Sequence, residues 1–250
     1  MISKNEIKLI RSLARKRNRL DLGFFPVEGA KMTQEALQSE FVVTVVYYTN
    51  WDIQERVEHV RYEQISVKEM ATISHLTTPS NVLALVKYPE RELETEKLAK
   101  QKILVLDAIR DPGNLGTIIR SADWFGVTDI VASTDTVDCF NPKVTQATMG
   151  SLFRVRVHYT DLDILADIKR ISPDFKVYGA MLNGDHPSVL HESSNAGAIV
   201  IGNEGRGVSD EVLKWIDQHV TIEKVGEAES LNAAISASIL LYEWKASLRS

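Results

Sequence analysis

A single cysteine, Cys139, among 250 residues excludes an intrachain disulfide framework and any cysteine-rich zinc site. Long apolar runs are missing too. Residues 41–48 and 103–106 are strand-length, well short of the roughly 18 residues of a membrane span. The basic start has no apolar core behind it, so no secretory signal is read there. A mitochondrial presequence fits poorly, because the same apolar and basic periodicity continues into folded-looking sequence. Global positive charge is absent as well: 29 bases against 34 acids give a net charge of −5, and no whole-molecule field advertises a polyanionic partner. The six histidines do not fall at ligand spacing, since the nearest pair, His186 and His191, misses the i,i+4 step of a helical zinc motif. No metal and no membrane partner are therefore expected. With 44% hydrophobic and 25% charged residues, the chain reads as an ordinary globular protein of a reducing, cytoplasmic compartment.

The average charge hides an asymmetry. Residues 1–20 carry Lys4, Lys8, Arg11, Arg15, Lys16, Arg17 and Arg19 against Glu6 alone, a charge of +6 that leaves −11 for the rest. Ile2, Leu9, Ile10, Leu13 and Leu20 suit one helix that buries a stripe and solvates the remainder. A phosphate-contacting arm and a merely solvated helix face are equally good readings of that pattern.

Residues 89–102, dense in charge and opened by Pro89, read as a linker or an exposed helix. This divides the chain into a small α/β module at 1–90, a linker at 91–102 and a larger domain at 103–250. In the module, strands are expected near 24–27, 41–49, 61–65 and 82–87, with a helix at 29–38. Beyond the linker, short apolar runs near 103–109, 129–133, 155–158, 177–181, 198–202 and 220–222 alternate with helical stretches at 113–126, 162–171, 209–215 and 231–248. Such alternation implies a mainly parallel sheet covered on both faces.

Ligands of open parallel sheets bind beyond the carboxyl ends of strands, and three junctions there have unusual composition. On the helix at 113–126, Leu115, Ile118, Ile119 and Ala122 form the buried stripe, leaving Arg120 a lone cation on another face. Arg120 suits either a surface pair with Asp123 or a planar fork aimed at a phosphate. At 198–213, glycines 202, 205 and 207 permit a tight turn and close approach of backbone to a ligand. Glu204 inside that loop would repel a pyrophosphate, so a neutral nucleoside or a cationic ligand fits better than a dinucleotide. The bland reading there is a structural turn, with Ser209 capping the next helix. At 229–244, Ser230 sits where an N-cap is expected, and Ala233, Ala234, Ser236, Ala237 and Ser238 keep one end of the helix thin.

In this order the three segments resemble the SpoU (TrmH-type) RNA ribose 2′-O-methyltransferases of the SPOUT superfamily. The first motif is Asn114-Leu-Gly-Thr-Ile-Ile-Arg120-Ser-Ala, the second Ile201-Gly-Asn-Glu-Gly205, and the third Ser230-Leu-Asn232. Residues 141–157 resemble the family's connecting segment, and residues 24–37 the start of its substrate-binding domain. One departure is visible, Ile222-Glu223-Lys224 in place of the usual Ile-Pro-Met.

The resemblance implies a parallel sheet with a deep trefoil knot, preceded by a small α/β domain like ribosomal protein L30e. It also implies a homodimer, S-adenosyl-L-methionine (AdoMet) as cofactor, and RNA as substrate, with ribosomal favoured over transfer RNA. Gly202, Ile222 and Leu231, with Ile201, Asn203 and Gly205 beside them, are expected to contact the cofactor. Arg120, Asn114, Glu204, Ser230 and Asn232 are the expected catalytic set. Asn114 and Asn232 would position, Glu204 would orient Arg120 or the loop, and Ser230 would complete the site. The family's proposed base corresponds to Arg120; because a guanidinium is almost never deprotonated, a phosphate clamp is the physically easier role. RNA then gives the basic arm a purpose, with Arg15, Lys16, Arg17 and Arg19 as phosphate contacts. Tyr47, Tyr48 and Trp51 are candidates for base stacking, core packing being the better reading for most of them. Two rival readings stand beside this one: a catalytically silent RNA-binding subunit, and a nucleotide-dependent oxidoreductase suggested only by the glycine-rich junctions.

Overall fold

The computed structural model describes residues 2–52, 56–90, 92–192 and 195–246. In chain order, α1 (Lys4–Ser12), α2 (Lys16–Leu22), β1 (Phe24–Glu28), α3 (Ala30–Leu37), β2 (Val43–Tyr48), β3 (Arg61–Gln64), α4 (Val67–Ile73) and β4 (Val82–Lys87) come first. Next are α5 (Thr95–Leu98), β5 (Lys102–Leu106), α6 (Pro112–Phe125), β6 (Asp129–Ala132), α7 (Pro142–Thr148) and β7 (Arg156–Tyr159). The chain ends with α8 (Ile164–Ile171), β8 (Lys176–Asp185), β9 (Gly197–Ile201), α9 (Asp210–Leu213), β10 (Gln218–Val220) and α10 (Ala233–Ala246). These elements form two compact units, Met1–Arg91 with Asp138–Arg154, and Glu92–Val137 with Val155–Ser250.

The first unit is built on a four-stranded sheet of order β1-β4-β2-β3, with β4 antiparallel to both neighbours and β3 parallel to β2. Ile10, Leu13, Tyr47, Met70, Ile73 and Leu83 belong to its core. Tyr47 is fully buried and its hydroxyl donates to Glu6 Oε1 at 3.0 Å, which removes it as a stacking platform; Tyr48 and Trp51 are half-buried. The basic start forms two helices instead of the single one expected. A capping box opens α1, the Glu6 amide donating to Ser3 Oγ at 3.2 Å and the Ser3 amide to Glu6 Oε2 at 3.0 Å. The break follows at Leu13–Arg15, where Arg19 Nη1 donates to the carbonyls of Leu13 (2.7 Å) and Ala14 (3.1 Å). A guanidinium thus takes the place of the next helical turn. The same side chain donates from Nε to Asp138 Oδ2 at 3.1 Å.

Asp138–Arg154 packs with this first unit, although it lies inside the stretch read as the second domain. Apolar surface explains the arrangement: the Phe140 ring sits 4.4 Å from Phe25 and 4.5 Å from Tyr88, and Phe153 lies 5.2 Å from Phe41. Clustered aromatics of this kind bury large areas and favour tilted or edge contacts.

In the second unit all six strands are parallel, in the order β10-β8-β9-β5-β6-β7. β5 and β9, buried on both faces, read as continuous apolar runs for that reason. The charged stretch before β5 is more than a tether: α5 forms within it, and Leu98 and Ala99 enter the core with Ile103 and Val105. The chain moves from β5 outward through β6 to β7, then returns to the other side of β5 as β8 and β9. The strand order therefore reverses at the β5–β9 pair, and the crevice beyond their carboxyl ends is where such sheets take ligands.

Candidate active site

Three segments meet at that crevice. After β5, Asp111 caps α6, its Oδ1 accepting from the Asn114 amide at 2.8 Å, with Pro112 in the first turn. Leu115, Ile118, Ile119 and Ala122 are all buried, the stripe the spacing predicts. After β9 the chain turns sharply, and Gly202 is required there by space. A Cβ at 202 would lie 2.3 Å from the Gly207 carbonyl carbon and 2.4 Å from the Val208 nitrogen. Asn203 then organises the loop from within. Its backbone exchanges hydrogen bonds with Gly207 at 2.9 and 2.8 Å, and its Oδ1 accepts from the amides of Gly205 (3.0 Å) and Arg206 (3.2 Å). Asp107, buried at the end of β5, closes the loop by accepting from the Ser209 amide at 2.7 Å. Ser209 stands at the N-cap position of α9, but its side chain makes no capping bond.

A chain of side-chain amides joins the three segments. Asn232 Nδ2 donates to Asn114 Oδ1 at 2.8 Å, and Asn114 Nδ2 donates to Glu204 Oε1 at 2.6 Å. Its polarity is forced. A carboxylate only accepts, so Asn114 must turn its NH2 to Glu204 and its oxygen to Asn232. Asn232 in turn faces its own oxygen to α10, accepting from the amides of Ala234 (2.9 Å) and Ile235 (3.3 Å). Asn232, not Ser230, is thus the cap of α10. The reason is geometric: the helix begins at Ala233, so the capping oxygen must come from the residue just before it.

The structure brings Asn114, Glu204 and Asn232 together and leaves Arg120 and Ser230 outside the chain of bonds. Both are exposed, and neither side chain makes a hydrogen bond or ion pair among the described residues. The surface pair of Arg120 with Asp123 is therefore not formed. At about 100° per residue, Arg120 lies roughly 120° around α6 from Asn114. Its side chain is exposed to solvent and takes no part in the Asn232–Asn114–Glu204 chain.

Ile201 is 2% exposed, its side chain packed in the sheet and its carbonyl accepting from the Asp107 amide at 2.9 Å, so any contact with a cofactor would come from its backbone. One expectation is corrected. Arg19, expected to touch phosphate, is 1% exposed and ion-paired with Asp138. Four hydrogen bonds, to Asp138 and to the carbonyls of Leu13 and Ala14, hold this buried guanidinium away from RNA. Arg15, Lys16 and Arg17 are exposed. Ile222 is half-buried and Leu231 exposed, standing at the two ends of the loop from β10 to α10. Asp107 was missed at the sequence level, where it looks like a polar end to an apolar run. Among the described residues no three His, Cys, Asp or Glu side chains are placed to hold a metal ion, and no helix is long and apolar enough to cross a membrane.

The sequence pattern of the SpoU rRNA Methylase family matches residues 101–242, and that of the MRM3-like substrate binding domain matches residues 4–84. Among curated proteins, the chain is 32% identical over 243 residues to the 23S rRNA (guanosine(2553)-2′-O)-methyltransferase RlmP of Bacillus subtilis, covering 96% of both chains. Among solved structures, a TrmH-family protein from Porphyromonas gingivalis is 35% identical with a TM-score of 0.86, over 98% of both chains. An AdoMet-bound rRNA methyltransferase from Sinorhizobium meliloti is 26% identical with a TM-score of 0.87, over 100% of this chain and 97% of that one.

Proposed function

Because this chain belongs to the SpoU rRNA methylase family, we propose that it methylates a ribose 2′-hydroxyl of ribosomal RNA at the crevice where Asn114, Glu204 and Asn232 meet. It is an AdoMet-dependent RNA 2′-O-ribose methyltransferase, and its six-stranded parallel sheet is typical of the knotted SPOUT fold. The observation that carries the reading is the unbroken bond chain Asn232–Asn114–Glu204, which ties all three motif segments into one site. Ribosomal RNA is preferred over transfer RNA because the relatives from Bacillus subtilis and Sinorhizobium meliloti carry rRNA in their names.

The residues present fit AdoMet. The loop after β9 has no room for a side chain at Gly202 and is stiffened from inside by Asn203, so its backbone groups are fixed and its wall is thin. Gly202, Gly205, Ile222 and Leu231 would hold the cofactor through backbone groups and apolar contact, while Asn203 and Ile201 keep the loop in shape. Glu204 is compatible with a positively charged ligand, as it would not be with a pyrophosphate. When bound, AdoMet supplies a sulfonium methyl group that passes to the attacking ribose oxygen as the sulfur leaves as a neutral thioether.

Arg120 is the residue that RNA would meet. The 2′-hydroxyl must lose its proton as the new C–O bond forms, and solvent water at this exposed site would take it. A guanidinium, which keeps its proton in proteins, serves better as a donor to the adjacent phosphate and the developing oxyanion than as the base. Asn114 and Asn232 position the start of α6 against α10, and Ser230, exposed two residues before Asn232, would complete the site through its hydroxyl. Labelled AdoMet with undermodified total RNA should yield a 2′-O-methyl ribose in ribosomal RNA. Arg120→Ala should lower the rate by at least about 100-fold, the usual effect of removing one oxyanion donor. Label on a base, or on transfer RNA alone, overturns the assignment; AdoMet binding without transfer to any RNA favours the silent-subunit reading.

A second copy of this chain would cover the outer face of α6 and α10. α10 is apolar nearly all round, the pattern of a helix buried on every side. Its inner face packs on α6, where Ser121 and Ser238 hydroxyls meet at 2.7 Å. Its other face leaves Ile235 49% and Tyr242 61% exposed, and α6 leaves Trp124 80% exposed. Patches like this mark interfaces. Tyr242→Glu should convert a dimer to a monomer in sedimentation analysis; a wild-type chain that sediments as a monomer removes the dimer from the proposal.

A further inference from the structure

Three strand ends converge on one residue that no motif contains. Ala108, directly after Asp107, has φ +56°, the left-handed region that a residue with a Cβ seldom adopts. Both of its backbone groups are gripped. Its N–H donates to Ser133 Oγ at 2.8 Å, just past β6, and its carbonyl accepts from Asn203 Nδ2 at 2.8 Å, in the loop after β9. The Ser133 hydroxyl donates to Asp135 Oδ1 at 2.7 Å, and Asp135 pairs with Arg110 at 3.2 Å. Between them, the Ile109 amide donates to Thr136 Oγ1 at 3.2 Å and its carbonyl accepts from the Val137 amide at 2.8 Å. Residues 108–110 are thus clamped from both sides immediately before Asp111 opens α6 and delivers Asn114.

We propose that Ser133 is a positioning residue for methyl transfer, a latch that holds Ala108 left-handed and so fixes the start of α6 where Asn114 meets Glu204 and Asn232. The inference rests on the active-site reading given above. Strained backbone persists where the surroundings over-determine it, and such places cluster at functional sites. Glycine would take φ +56° without help but would leave the segment free to take other conformations. Alanine with a latch has one conformation. The hydroxyl of Ser133, followed by the Arg110 guanidinium, also holds the Asp135 carboxyl below its usual range, keeping it charged as the acceptor that orients the latch.

The test uses the full chain and three variants: Ser133→Ala, Ala108→Gly and the two combined. Ser133→Ala should lower kcat about tenfold, equal to about 1.4 kcal/mol, while leaving the AdoMet Kd within about twofold, a difference of a few tenths of a kcal/mol. The double variant should recover most of that loss, since glycine adopts the required conformation unaided. A serine with only a general structural role would lower Tm and would not be rescued by a glycine on another strand end. Amide hydrogen exchange at Ala108 and Ile109 should quicken in Ser133→Ala, and this is read without turnover. Unchanged exchange, unchanged kcat, or a double variant no faster than Ser133→Ala overturns the latch. A wild-type chain that transfers no methyl group overturns the enzyme reading instead, and the exchange data still decide the latch.

Discussion

Gly202→Ala should lose AdoMet binding by calorimetry, with Kd raised at least about 100-fold, equivalent to about 3 kcal/mol. The added Cβ would fall 2.3 Å from the Gly207 carbonyl carbon, 2.4 Å from the Val208 nitrogen and 2.5 Å from the Gly207 oxygen. All three are backbone atoms, so no rotamer change can make room. The loop must open, and opening it breaks the paired bonds between Asn203 and Gly207. Overpacking of this kind usually costs about 1–3 kcal/mol and sometimes more, and here the distortion falls on the segment proposed to hold the cofactor. A drop in Tm of several degrees should accompany it, at about 2–4 °C per kcal/mol for a chain of this size. Gly205→Ala makes the contrast. Its Cβ would meet nothing nearer than Asn203 Oδ1 at 3.7 Å, an ordinary contact, so the loss should be far smaller. A Gly202→Ala chain that binds AdoMet within about threefold of wild type, under 1 kcal/mol, would show that the cofactor does not use this loop.

The contrast between these two glycines also shows what a sequence can and cannot carry. Glycines 202, 205 and 207 are legible as a turn that brings backbone close to a ligand, because few other demands select three glycines after an apolar strand. Which of them is indispensable depends on where the chain returns, and only Gly202 faces the backbone of Gly207 and Val208. The alternation of apolar runs and helical stripes likewise predicts the parallel sheet, since a strand buried on both faces has to be apolar throughout. Its order around β5 is a matter of long-range pairing and leaves no local mark. Caps are a nearer miss. Ser230 and Asn232 are equally good capping residues by type, and a shift of two positions in the helix start decides between them. Ala108 is the hardest case, for a left-handed alanine held by Ser133 and Asn203 looks in sequence like any alanine.

Replacing Arg19 with methionine should destabilise the chain by about 3–5 kcal/mol, the usual result of removing one partner from a buried ion pair. Asp138 would be left buried without its cationic partner, and the carbonyls of Leu13 and Ala14 would lose their donor at the break between α1 and α2. A fall in Tm on the order of 10 °C follows. Neutralising Arg15, Lys16 and Arg17 together should do the reverse: little change in Tm, since exposed substitutions usually stay within about 0.5 kcal/mol each, but weaker RNA binding. If all three reach phosphate, the slope of log K against log salt should fall by about 2–3. Summed charge treats the seven bases of this segment as one field, yet burial divides them into a residue that shapes the arm and residues that face solvent. Asp138, the partner that makes the division, lies 119 residues away. Below its melting point, Arg19→Met should therefore keep the wild-type salt slope. The opposite pair of results, an unchanged Tm and a slope reduced by about 1, would mean that Arg19 leaves its pocket to meet RNA and that the buried pair is not its working state.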